Sequence, residues 1–180
     1  MKKLPIGRSD FKSIIEDNMY YIDKSMLIKE IIESGDVILI TRPRRFGKTL
    51  NMSMMKYFFR NDEANKHLFK GLKIWEEKEI IEKYLNKYPV IYLTFKDLKQ
   101  NNYEDMILSV KKKISDLYLD YVFLWESNKL NEWEKNNMKT IFERNGENIL
   151  YENSLIDLSK YLYHYYNQKV ILLIDEYDTP

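Results

Sequence analysis

Three short apolar runs constrain this chain more than any other feature. They are "VILIT" at 37–41, "PVIYLTF" at 89–95 and "VILLI" at 170–174. Each has the length of a strand, and none alternates polar with apolar residues. Runs of this kind are predicted to be strands buried on both faces, as in a parallel sheet. Segments of helical periodicity lie between them. "SDFKSIIEDN" predicts a short helix capped by Ser9 or Asp10 and finished by Asn18. "YYIDKSMLIKEIIESG" predicts a second, capped by Asp23, with Leu27, Ile28, Ile31 and Ile32 on one face and Gly35 just past its end. From Tyr103 to Leu124, apolar residues recur at alternating steps of four and three, an amphipathic helix. "EWEKNNMKTIFERNG" reads as a more polar helix ending at Gly146. "NSLIDLSKYLYHYY" reads as another, capped by Asn153 or Ser154, with Leu155, Leu158, Leu162 and Tyr165 on one face. Strands alternating with helices predict an α/β fold with a mostly parallel sheet flanked by helices.

Composition narrows the function classes. The 180 residues carry 29 basic and 28 acidic side chains, a net charge of +1, so no global field favours nucleic acid or a membrane surface. There is no cysteine, which excludes disulfides and thiolate metal sites and suits a cytoplasmic location. The basic start "MKKLPIGRSD" is not followed by the apolar stretch of a signal peptide. No apolar run approaches the roughly 20 residues of a membrane-spanning helix. His67 and His164 stand alone without ligand spacing, and two histidines give no Ser/His/Asp constellation. Lys111, Lys112 and Lys113 are expected on the solvent side of their helix. Met52, Met54, Met55 and the tyrosines of "YLYHYY" are expected in the core.

The chemistry-bearing stretch is "TRPRRFGKTL" at 41–50, which separates "VILIT" from the helical "LNMSMMKYFFR". Gly47-Lys48-Thr49 is the tail of a phosphate-binding loop, G-x-x-x-x-G-K-[ST], in its required strand–loop–helix setting. Gly47 lets the backbone approach a phosphate, and N–H groups at a helix start supply donors and partial positive charge. Lys48 would reach the β- and γ-phosphates, and the Thr49 hydroxyl would ligate Mg²⁺. The opening position holds Arg42 instead of glycine. Pro43 pushes Arg42 toward an extended conformation, so the turn is expected later in the loop. Arg44 and Arg45 would add positive charge near the phosphates. The second half is Ile174-Asp175-Glu176, where an apolar strand placed at the sheet centre delivers two carboxylates at its carboxyl end. Asp175 is assigned to Mg²⁺ and Glu176 to the base that activates water. Tyr21 or Ile22 is a weaker candidate for packing near an adenine base, against an ordinary core-anchoring role.

Three stretches together, "LPIGRSDFKSIIEDNMYYIDKSMLIKEII", "LITRPRRFGKTLNMSMMKYFF" and "LLIDEYDTP", strongly resemble the predicted AAA-ATPase-like proteins of bacteria. These are similar to the archaeal and STAND-type ATPases among P-loop NTPases. The resemblance runs from about Leu4 to the last residue. It implies that Arg42 is ordinary for this loop and that residues 44–50 (Arg44, Arg45, Phe46, Gly47, Lys48, Thr49, Leu50) bind the nucleotide. It further implies ATP and Mg²⁺ as ligands, with Lys48, Asp175 and Glu176 catalytic and Thr49 and Asp175 on the metal. Residues 1–35 would form a helical segment packed on an ATPase core at 36–180. Relatives often carry a C-terminal nuclease-like domain, the expected source of any nucleic-acid contact. Only "YDTP" follows Glu176, so the chain is expected to stop before the next strand, its sensor residue and any arginine finger, and to hydrolyse poorly by itself. The expected activity is ATP hydrolysis. The alternative is a nucleotide-dependent switch with little turnover.

Overall fold

The computed structural model describes residues 2–41, 46–61, 64–96 and 98–176. The fold is α/β. The described elements run α1 (Phe11–Glu16), α2 (Leu27–Ser34), α3 (Lys48–Phe59), α4 (Lys78–Tyr84), β1 (Val90–Thr94), α5 (Tyr103–Leu119), α6 (Val122–Glu126), α7 (Glu132–Phe142), α8 (Asn148–Glu152), α9 (Ser154–Tyr166) and β2 (Ile171–Asp175). Single 3-10 turns at Asn65–Phe69 and Lys73–Glu76 join α3 to α4. The chain divides into two compact units, 1–90 and 91–180.

In the first unit α1 lies against α3. Their contact is apolar, with Phe11, Ile14, Met54, Phe58 and Phe69 all buried. The Phe11 ring stacks on Phe69 at 5.2 Å, and Phe58 meets Phe69 edge-on at 5.1 Å. A polar node fixes the register. Asp10 caps α1 by accepting from Ser13 N at 2.8 Å. Its other oxygen accepts from the Tyr57 hydroxyl at 2.8 Å and from Ser53 Oγ at 3.2 Å. Ser53 Oγ in turn accepts from Phe11 N at 3.0 Å. One carboxylate therefore ties the start of α1 to the middle of α3.

Asp23 does not cap α2. It accepts from Ser25 N within its own turn and from Lys73 N across the unit, both at 2.8 Å, while Ser25 Oγ accepts from Ile74 N at 3.1 Å. The pair satisfies two N–H groups where the chain enters the second 3-10 turn, so a distant backbone competes successfully for the expected cap. Asn86 finishes α3. In left-handed conformation (φ 57°) it donates from N to Phe58 O and from Nδ2 to Tyr57 O and Arg60 O, satisfying carbonyls left open at the helix end.

In the second unit β1 and β2 form a small parallel sheet. Ile91 and Leu93 of β1 enter a core with Ile114, Leu117, Tyr118, Met138, Ile141, Leu158 and Leu162 from α5, α7 and α9. The Tyr118 hydroxyl donates to Ser154 O at 2.7 Å, so this buried ring keeps its polar end satisfied.

Three expectations need correction. Residues 37–41 are not a strand: Val37 is 96% exposed and Leu39 65%. An apolar run becomes a strand only where a neighbour completes its hydrogen-bond ladder. Among the described residues the sheet holds β1 and β2 alone. For the same reason β2 is not a strand buried on both faces at a sheet centre; Leu172 faces solvent while Leu173 and Asp175 are buried. The helix expected over 103–124 is two. It breaks after Leu119, where Asp120 and Tyr121 turn the chain into α6, and its first residue, Tyr103, is 74% exposed.

Burial opposes the charge on Asp10, but its bonds from Ser13, Tyr57 and Ser53 outweigh that and hold its pKa below the ordinary 3.8. A depressed carboxylate stabilises the fold above its unfolded pKa and loses that contribution as pH falls through the folded value. Asp10→Ala should therefore cost about 2 kcal/mol near neutrality, from the lost cap and two hydroxyl bonds. In urea titrations the gap between wild type and variant should narrow as pH falls below about 4. A gap independent of pH would show that the carboxylate charge is not its source.

Candidate functional site

Gly47 opens α3 in the left-handed region, φ 79° and ψ 25°. A side chain there would be strained, which explains glycine at this position of the loop. Asn51 N donates to Gly47 O at 2.9 Å and closes the first helical turn. Among the described residues no side chain caps α3, and its first turn holds no acidic residue. Its leading N–H groups, with the positive end of the helix dipole, are thus not engaged by a capping side chain. Lys48, Thr49 and Leu50 follow at once, each half-buried, and Phe46 is exposed just before them. The loop residues Arg42, Pro43, Arg44 and Arg45 lie outside the described residues, so the expected turn after Arg42 and the placing of the two arginines do too. Behind the helix start, the Asp10 node grips α3 at Ser53 and Tyr57.

The acidic pair ends β2. The strand alternation that buries Leu173 also buries Asp175, which is only 3% exposed. Its backbone O accepts from Phe95 N of the neighbouring chain segment at 3.0 Å. Its side-chain Oδ2 is buried and has no hydrogen-bond partner among the described residues. A buried carboxylate oxygen without a donor is costly, and in native proteins such an atom usually has a partner, whether protein, water or ion. Glu176 leaves the strand in left-handed conformation at φ 55°, half-buried. For a non-glycine residue that costs about 1 kcal/mol.

The structure brings Gly47, Lys48 and Thr49 together at one helix start, and Asp175 and Glu176 together at one strand end. The first group belongs to the unit 1–90 and the second to the unit 91–180. Among the described residues no cluster of three or more His, Cys, Asp or Glu side chains could hold a metal ion. Thr49 in one unit and Asp175 in the other each carry an oxygen that could hold a metal ion. An unpartnered carboxylate oxygen and a hydroxyl are hard oxygen donors of the kind Mg²⁺ takes.

Tyr21 and Ile22 part company. The Tyr21 ring meets Phe11 edge-on at 5.4 Å and its hydroxyl reaches Met54 Sδ at 3.3 Å; burial pushes its pKa up to about 12. Tyr21 is a core anchor, while Ile22 is 65% exposed. Sequence reasoning missed the support given to α3 by Ser53 and Tyr57. The available signal was a serine at a buried position of an otherwise apolar helix face, with a capping aspartate upstream.

A family model described as "Predicted AAA-ATPase" matches residues 5–180. An uncharacterized protein in the vnfD 5′ region of Azotobacter chroococcum mcd 1 is 36% identical to this chain over 95 residues. Those residues are 52% of this chain and 17% of that relative, so the chain spans only a small part of its length. No solved structure matches.

Asp175→Asn removes a buried charge while keeping size. Without nucleotide or divalent metal, the variant should unfold at the same or higher urea concentration than wild type. A loss of about 2 kcal/mol or more would instead reveal a structural partner for the carboxylate.

Proposed function

The chain belongs to the predicted AAA-ATPase family, and on that premise we propose that it is a P-loop module that binds ATP with Mg²⁺ and hydrolyses it. The observation that carries this reading is Asp175, a carboxylate held at the end of β2 with one buried oxygen unpartnered among the described residues. A second observation supports it: a left-handed glycine opening a helix whose first two residues are Lys48 and Thr49.

Each residue then has a defined task. The N–H groups at the start of α3 donate to phosphate oxygens, aided by the helix dipole. Lys48 places its ammonium on the β- and γ-phosphates. Thr49 and Asp175 would each offer an oxygen to the metal ion, which would supply charge neutralisation on the transferring phosphoryl group. Arg44 and Arg45 add positive charge, and Phe46 and Leu50 flank the phosphates on the loop and first turn. Glu176 accepts a proton from the attacking water as the water oxygen bonds to the γ-phosphorus. The bond from that phosphorus to the β–γ bridging oxygen breaks, and ADP leaves with the electron pair. The left-handed backbone at Glu176 is consistent with strain retained at a working residue. The activity of the longer proteins in this family, and what that activity drives, would build on the same site.

Calorimetric titration of Mg·ATP should show saturable binding to wild type and loss of about tenfold or more in affinity for Lys48→Ala. Glu176→Gln should retain binding but lower turnover by about a hundredfold or more. Unchanged turnover in Glu176→Gln would favour the nucleotide-dependent switch. Equal binding by wild type and Lys48→Ala would remove the loop from the reading altogether.

A further inference from the structure

We propose that the second unit carries a separate anion site, a pocket between α5 and the turn after α7 that takes a phosphoryl group. The pocket encloses about 370 Å³. That exceeds the bare ion and lies in the range of small-ligand sites. Lys111 and Lys112 line it from α5, and Arg144 lines it from the turn.

Lys111 departs from its expected place on a solvated face. Its Nζ donates to Gly146 O at 3.0 Å and lies 4.9 Å from the centre of the Tyr151 ring. Both partners are neutral. They fix the ammonium in position without neutralising it, so a positive charge is held ready at the pocket wall. Gly146 is packed tightly between α7 and α8, which holds its carbonyl in place. A Cβ there would meet Leu150 Cδ2 at 2.8 Å and Tyr151 Cε2 at 3.3 Å.

Arg144 stands in left-handed conformation (φ 58°) and donates from Nη2 to Asp116 Oδ1 at 3.0 Å. A guanidinium has five N–H groups, so one bond leaves several for a ligand. Lys112 is exposed. Neutral donors complete the lining. Gln100 Nε2 donates to Ser109 Oγ at 2.9 Å, which leaves the Ser109 hydroxyl proton for another acceptor. One carboxylate lines the pocket, that of Asp105, and its Oδ2 accepts from Asn102 Nδ2 at 2.7 Å. The lining therefore carries three cations against one anion.

A set of donors this rich, with both ammonium and guanidinium groups, suits an oxyanion with several acceptor oxygens and more than one negative charge. A phosphoryl group meets that description better than a single carboxylate. It could arrive on a small phosphorylated molecule or as part of a nucleic-acid strand, since both present the same oxygens.

The test is an amide-shift NMR titration of the whole chain carrying Lys48→Ala, so that the α3 loop contributes little. Inorganic pyrophosphate is one probe and a short thymidine oligonucleotide the other. The amides of Ser109, Lys112 and Gly146 should shift together, with a Kd of about 1 mM for pyrophosphate at low salt. Binding should weaken about tenfold in Lys112→Glu and fall as salt is raised. Tighter binding of the oligonucleotide would assign the phosphate to a strand, and tighter binding of pyrophosphate to a small ligand. Lys111→Met keeps the stem over Tyr151 while removing the charge, and should weaken binding as well. Silence of those amides with both probes up to about 20 mM would overturn the site. So would affinities unchanged in both folded variants.

Discussion

The hydrogen bonds converging on Asp10 decide how α3 lies against α1. Four groups share the arrangement: the Ser13 amide, the Tyr57 hydroxyl, the Ser53 hydroxyl and, through Ser53, the Phe11 amide. Apolar contacts among Phe11, Phe58 and Phe69 supply most of the driving force, but they are tolerant of sliding. A carboxylate with directional partners on two helices is not. It fixes which turn of α3 faces which turn of α1. Because Lys48 begins α3 and Ser53 lies within the next two turns, the node also sets the direction in which the glycine-lysine-threonine start points. The register of α3 against α1, and with it the direction of the Gly47-Lys48-Thr49 start, rests on one side chain.

Element ends elsewhere show how the chain handles open backbone groups. Asn131 and Glu134 form a reciprocal capping box at the start of α7. Asn86 and Asn167 stand in left-handed conformation at or after helix ends, where asparagine is tolerated well. Glu176 and Arg144 stand in the same region with less tolerance for it. One lies beside the buried aspartate of β2 and the other lines the basic pocket. At Asn86 and Asn167 the residue suits the backbone, whereas Arg144 takes the same place after α7 and Glu176 follows β2. At these two positions the backbone conformation is kept in spite of the residue, as expected where side-chain chemistry has a use.

Much of this organisation is legible in sequence, and the failures share a cause. The runs at 89–95 and 170–174 were readable as strands because composition and length agree, and the structure places β1 and β2 there. "VILIT" has equal apolar character and is not a strand, since a ladder needs a partner that one segment's composition cannot reveal. Asp10 was readable, beside Ser9, as a cap candidate because its donor, Ser13 N, is local. Asp23 was misread because Lys73 N, fifty residues away, claims its carboxylate. Lys111 follows the same rule: periodicity puts it toward solvent, and the carbonyl of Gly146, thirty-five residues away, captures it. The order Gly47-Lys48-Thr49 was readable as a helix start, and α3 begins there. Local signals survive, and signals that depend on distant backbone do not.

Asp10 and Asp175 show what the same carboxylate becomes in two settings. Asp10 is exposed, where water alone could satisfy it, and yet it collects three protein donors. Asp175 is almost fully buried, where every oxygen needs a partner, and one oxygen has none among the described residues. The distribution is the reverse of what folding stability alone would favour, since donors are worth most where water is excluded. An asparagine or a leucine at 175 would fill the strand end at lower cost. On the reading proposed above, a carboxylate kept there would serve a partner with positive charge, and its hard oxygen would suit a divalent cation better than an ammonium fixed by packing. On the same reading, the cost at Asp175 and the strain at Glu176 would have one explanation, a metal-holding carboxylate beside a water-activating one.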